Sequence, residues 1–190
     1  MDWEPTPSQT AGPFFHLGCT EHRSVGCLVR PETKGEHIRL VCRVLDGEGA
    51  PVPDAMIEIW QANADGKYNH PEDTQEKEIE SGFIGFGRLA TDSEGGCEFL
   101  TIKPGRVPGE NNVLQASHIN VSVFARGILK RLATRIYFAG DPEISKDPVL
   151  ALVPEERRAT LLANRHGAHA DEWHFDIHLC GERETVFFDI

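Results

Sequence analysis

The chain has 190 residues, with 19 Lys and Arg against 30 Asp and Glu, for a net charge of −11. That balance argues against a nucleic-acid surface, which is normally basic, and against docking on anionic lipid. A chain of this length suits one domain that buries roughly 70% of the surface its unfolded state exposes, so a core without disulfides is feasible.

Residues 1–36 read as an irregular arm, punctuated by Pro5, Pro7, Gly12, Pro13, Gly18, Gly26, Pro31 and Gly35. Trp3, Phe14 and Phe15 are large apolar residues on it. They have to lie on something, either their own domain or a partner subunit. The opening Met1-Asp2-Trp3-Glu4-Pro5 has neither a basic start nor an apolar run, so no signal peptide is expected. No stretch approaches the ~18 apolar residues that a bilayer span needs.

From residue 37 the period changes to two. Ile38, Leu40, Cys42 and Val44 fall on one face of a first strand, and residues 55–61 make a second. Residues 62–82 are polar and acidic and read as a long loop of the kind that often carries function. Further strands are expected at about 83–91, 97–102, 117–125 and 131–138. Pro154-Glu155-Glu156-Arg157-Arg158 suits a helix start, with proline at the first position and acids in the first turn, and predicts a helix to about Arg165. Trp173, Phe175, Ile177 and Leu179 alternate with polar residues as a half-buried strand, and residues 185–190 close the chain. Many short strands, frequent turns and one helix predict a mainly β domain over 37–190, an antiparallel β-sandwich behind the arm of 1–36.

The five cysteines, at 19, 27, 42, 97 and 180, are odd in number and include no Cys-x-x-Cys. They predict reduced thiols in a cytoplasmic compartment.

His118-Ile119-Asn120 is the stretch most telling about chemistry. A His-x-His at these positions would place two imidazoles side by side on one strand face, ready to hold a metal. Here one of the two is an amide, a poor ligand for a transition metal. His174, Asp176 and His178 also share a strand face and could hold a divalent metal, but alternation opposite an apolar stripe alone predicts the pattern, and a solvated face is the favoured reading. His16, His22, His37, His70, His166 and His169 are isolated and read as exposed or capping groups. Tyr68 and Tyr137, the only tyrosines, read as structural rings. Arg126 ends a strand beside Gly127, where its fork could meet a carboxylate or serve as a surface ion pair.

Several segments carry a resemblance. Thr6-Pro7-Ser8-Gln9-Thr10-Ala11-Gly12-Pro13, Glu58-Ile59-Trp60-Gln61-Ala62, Ile102-Lys103-Pro104-Gly105, His118-Ile119-Asn120, Phe124-Ala125-Arg126-Gly127 and residues 181–189 occur in order. Together they resemble the intradiol ring-cleaving dioxygenases, and among them the alpha subunits of the heteromeric, protocatechuate-cleaving branch. In that branch a beta subunit binds ferric iron through two tyrosines and a His-x-His pair, and the cleft lies between alpha and beta. The resemblance implies a β-sandwich fold, a beta-subunit partner, and cleavage of protocatechuate by dioxygen to 3-carboxy-cis,cis-muconate. It lays the two histidine positions on His118 and Asn120, one tyrosine on Val107 and the other near Gln75. No iron is therefore expected on this chain alone, with His118 left as a hydrogen-bonded relic. It also implies that Gly12, Pro13 and Arg126 reach the partner's substrate pocket. Phe14 stands where the family usually has tyrosine, the arm from Leu17 to Glu36 looks shorter than usual, and Lys130-Arg131 makes its stretch more basic. Two alternatives are a β-sandwich binding module with no part in turnover, and a self-sufficient dioxygenase drawing ligands from Tyr68, Tyr137, His118 and His70.

Overall fold

In a computed structural model, residues 6–21, 23–166 and 170–190 are described. His22, His169 and Trp3 lie outside that set. The strands are β1 His37–Leu45, β2 Met56–Trp60, β3 Phe86–Ala90, β4 Gly96–Ile102, β5 His118–Phe124, β6 Leu132–Phe138, β7 Leu162–Arg165 and β8 Glu172–His178. They run side by side in the order β3-β2-β5-β6-β7-β8-β1-β4. The first four and the last four form two leaves. They are joined by a short pairing of Tyr137 with Leu162 and Phe138 with Ala163.

Period-two alternation explains why the leaves close on each other. Leu40, Cys42 and Val44 of β1 and Trp173, Phe175 and Ile177 of β8 are buried on one leaf, and Ile57, Ile59, Ile119, Val121, Val123 and Ile136 on the other. A smaller apolar cluster of Ala116, Tyr137, Leu150, Val153 and Leu161 lies outside the main core. Among the described residues no helix is long and apolar enough to cross a membrane.

Three expectations need correction. The sandwich is not wholly antiparallel, because β1 pairs with β8 and β6 with β7 in parallel. The helix expected from Pro154 to Arg165 is a 3-10 stretch over Glu155–Leu161, followed by β7. Leu161 and Ala163 are fully buried, and the pairing with β6 outweighs the helical start signal. The arm is not irregular throughout, since α1 spans Pro13–Thr20. Pro13 stands at the helix start, where its missing N–H costs nothing. Thr20 Oγ1 donates to the His16 carbonyl at 2.8 Å.

Much of the arm lies on its own sandwich. Phe15 packs against Phe124 with ring centroids 5.6 Å apart. The Gly127 amide donates to Thr10 Oγ1 at 2.8 Å. Val25 bridges to Arg88, Cys27 bridges to Leu100, and Leu28 enters the core. Phe14, by contrast, is 89% exposed.

Candidate active-site face

The register of β2, β5 and β6 builds one outward face from alternate residues. Met56 stands opposite Phe124, Glu58 opposite Ser122, and Trp60 opposite Asn120. Across β5, Asn120 faces Arg135 and His118 faces Tyr137. The two sets of residues singled out by the sequence therefore lie at opposite ends of the same face.

At the Met56–Phe124 end, α1 and the chain before it cover a cavity of about 500 Å³. Gly12, Pro13 and Arg126 all line it, so residues more than 100 positions apart in sequence come together. Phe15, Leu17, Met56 and Phe124 make the wall largely apolar. Its charge is the ion pair of Arg126 Nε with Asp54 Oδ2 at 2.6 Å. Asp54 was not singled out in the sequence. It sits in a left-handed turn conformation (φ 70°), which aspartate tolerates better than most residues. His16 was read as an exposed or capping residue, yet it lines the cavity, and its Nδ1 is buried with no hydrogen-bond partner among the described residues. Its position in α1 is the reason, and a helix there was not expected.

The Trp60–Asn120 end holds the positions laid on metal ligands. His118 is 3% exposed, and its ring Nδ1 donates to the Ala116 carbonyl at 2.8 Å. Burial, with the Arg135 guanidinium as a second cause, brings its pKa down to about 4, so the imidazole is neutral. Asn120 Nδ2 donates to the Tyr68 hydroxyl at 3.0 Å. Tyr68 stacks on Trp60 at 5.6 Å, and burial pushes its phenol up. Val107 is buried and offers no donor atom. Gln75 spends its amide on the Gly66 carbonyl at 3.0 Å and on Asp73 at 3.1 Å. Tyr137 is fully buried, donates to Asp147 Oδ1 at 3.0 Å, and is likewise held protonated by burial.

These residues do not fit a ferric ion. One neutral imidazole is left among an amide, a valine and a glutamine. The guanidinium of Arg135, anchored on Gln115 Oε1 at 2.6 Å, already places a fixed positive charge beside the spot. A second cation would be repelled there. The alternative ligand set fares no better. Tyr137 is engaged by Asp147, and His70 turns its edge to Trp60 while its Nδ1 accepts from the Glu72 amide at 3.2 Å.

On the other leaf, His174, Asp176 and His178 share the outward face of β8 but do not act together. Asp176 is held by Arg43 through contacts of 3.1 and 2.8 Å. Burial, with Arg183 as a second cause, lowers the pKa of His178.

Comparison with known proteins identifies the family. A model of the family described as "Dioxygenase" matches residues 10–181. The alpha chain of protocatechuate 3,4-dioxygenase from Pseudomonas putida is 42% identical, over 97% of this chain and 96% of that one. The beta chain of the Burkholderia cepacia enzyme is 40% identical, over 81% of this chain and 68% of that one. The dioxygenase domain of a Streptomyces carbohydrate-binding fusion superposes with a TM-score of 0.63 at 28% identity, covering 94% of this chain and 99% of that one. Alpha and beta chains exist as separate polypeptides among these relatives, and this chain matches the alpha chain over nearly the full length of both. On the family match, the full-length likeness and the shared fold, the chain belongs to the intradiol dioxygenase family.

Proposed function

We propose that this chain is the iron-free alpha subunit of a protocatechuate 3,4-dioxygenase, and that it completes the cleft of an iron-bearing beta subunit. The complex opens the ring of protocatechuate with dioxygen between its two hydroxylated carbons, giving 3-carboxy-cis,cis-muconate. The observation that carries this reading is the convergence of Gly12, Pro13 and Arg126 on one cavity. The other end of the same face has lost its capacity for metal.

Each of the three has a physical task. Gly12 has open space around it, so a partner's ligand or backbone can approach closely. Pro13 stiffens the wall by fixing its own backbone. Arg126 presents a guanidinium to the substrate carboxylate, the feature that separates protocatechuate from plain catechol. The Arg126 side chain is 75% exposed in this chain, so the guanidinium stands open to a carboxylate brought up beside the apolar wall. The exposed Phe14 and α1 form the edge that meets the beta subunit. We place the complex in the cytoplasm, because five cysteines, odd in number and without a Cys-x-x-Cys, suit a reducing compartment.

The test is co-expression with a candidate beta chain, followed by assay with protocatechuate. A stable complex whose activity depends on this chain is expected. A binding module without a catalytic part would join the complex and leave turnover unchanged.

A further inference from the structure

The strand face opposite to the one described above holds a second cluster of chemistry. β7 and β8 are antiparallel, with Asn164 opposite His174 and Arg165 opposite Trp173. The pairing extends one step further, because the His166 amide donates to the Glu172 carbonyl at 3.2 Å. His166 therefore stands directly across from Glu172 and diagonal to His174. All three fall on the outward face, since side chains at i and i+2 point the same way.

The side chains converge. Glu172 Oε1 lies 2.5 Å from His174 Nε2 and 3.7 Å from His166 Nδ1. The two imidazoles stack with centroids 4.2 Å apart and an angle of 23° between planes. One ligand atom from each of the three residues lies within 4.8 Å of the others. A hydrogen bond explains His174 and Glu172. It does not explain why the His166 ring stacks at that place with its Nδ1 toward the same oxygen, beyond hydrogen-bond reach.

We infer that His166, Glu172 and His174 form a binding site for a divalent transition metal, of the zinc class, separate from the iron chemistry of the family. Two imidazoles and one carboxylate are a ligand set that suits zinc, with a fourth position left for water. Around a tetrahedral ion with bonds near 2.0–2.1 Å, ligand atoms stand roughly 3.3–3.5 Å apart. The His174–Glu172 contact opens by less than about 1 Å and the His166–Glu172 one closes by less than about 0.5 Å to reach that spacing, while the stacked rings turn out of their near-parallel arrangement to aim both nitrogens at one ion.

Surrounding charges are arranged for it. Arg39 Nε lies 3.8 Å from Glu172 Oε2, so the guanidinium faces the oxygen other than the one nearest the imidazoles. Such an outer partner orients a ligating carboxylate. Arg39 is itself paired with Glu98 at 2.8 Å, and Arg165 with Glu36 at 3.3 Å, which offsets the two nearby cations. The Glu172 side chain is 12% exposed, so the carboxylate sits low under the two rings. A metal here pins β7 to β8.

The experiment uses the full chain, stripped with chelator and kept reduced, in equilibrium dialysis against zinc chloride. One zinc per chain is expected at micromolar free metal. Affinity should fall at least tenfold in each of His166→Ala, Glu172→Gln and His174→Ala. His166 is largely exposed, so its variant keeps the fold, and circular dichroism checks all three. Cobalt substitution distinguishes this site from the exposed Cys27 and Cys180 thiols. Visible bands without thiolate-to-cobalt charge transfer are expected. Failure to retain zinc, equal affinity in His166→Ala and the unmodified chain, or strong thiolate bands would overturn the inference. None of these outcomes bears on activity with the beta subunit.

Discussion

Arg126 and Asp54 meet at 2.6 Å, yet the arginine side chain is 75% exposed. An ion pair so wet contributes little to stability, so its worth lies in orientation. Arg126→Ala in the assembled enzyme should therefore leave the melting temperature nearly unchanged. It should raise KM for protocatechuate by about tenfold, the low end of a charged hydrogen bond at ~1.5 kcal/mol, and barely alter KM for catechol. Steady-state assays with both substrates check this, and an equal rise for both would remove the carboxylate contact. His118 supplies a prediction in pH. Its ordinary pKa of 6.5 falls to about 4 in the fold, through burial first and the Arg135 charge second. Between those values the unfolded chain binds the extra proton. Stability from this group is thus full above pH 6.5 and is lost as pH falls toward 4, by about 2–3 kcal/mol at pH 4.5. Urea titrations at pH 7 and 4.5 should show that loss in the parent and a smaller one in His118→Gln.

Between elements, Asp147 is a tie that no local pattern in the chain marks. It is 1% exposed, and Oδ2 accepts from the Ala116 amide at 2.8 Å. Its Oδ1 accepts from the Leu150 amide at 2.7 Å, the Val149 amide at 3.0 Å and the Tyr137 hydroxyl at 3.0 Å. Asp147→Ala strands several buried donors and should cost about 3–5 kcal/mol, measured by urea unfolding. Asp147→Asn keeps one oxygen but turns an NH₂ toward one of those donors, and should cost about 1–3 kcal/mol. The strands themselves were legible, because alternation at Ile38, Leu40, Cys42 and Val44, and again at Trp173, Phe175 and Ile177, is a local signal of a buried face. α1 was hidden by Pro13 and Gly18, which read as turn formers. β7 was hidden because its burial depends on a parallel neighbour, β6, distant in sequence. The pairing of His166 with Glu172 was hidden for a related reason: adjacency across a hairpin is set by register, which spacing alone does not fix.

The whole molecule is a dioxygenase-family sandwich in which one outward face carries an apolar cavity at one end and a ligand-poor cluster around His118 at the other. Resemblance marked Gly12, Pro13 and Arg126 one at a time, and the fold brings them to a common cavity beneath α1. The ligand-poor end was legible at His118-Ile119-Asn120, since an amide in place of an imidazole can be read from the chain. That Arg135 stands opposite Asn120 depends on the β5–β6 register, which only the fold displays. The purified chain alone should contain far less than one iron per molecule by elemental analysis and show no phenolate-to-iron colour. The most direct measurement is turnover of protocatechuate by the iron-loaded beta subunit, assayed with and without this chain at equal iron. Strong dependence on the added chain, abolished when the arm through Pro13 is removed, is what the structure leads us to expect. Full turnover by the beta subunit alone, or one equivalent of iron ligated within this chain, would contradict it.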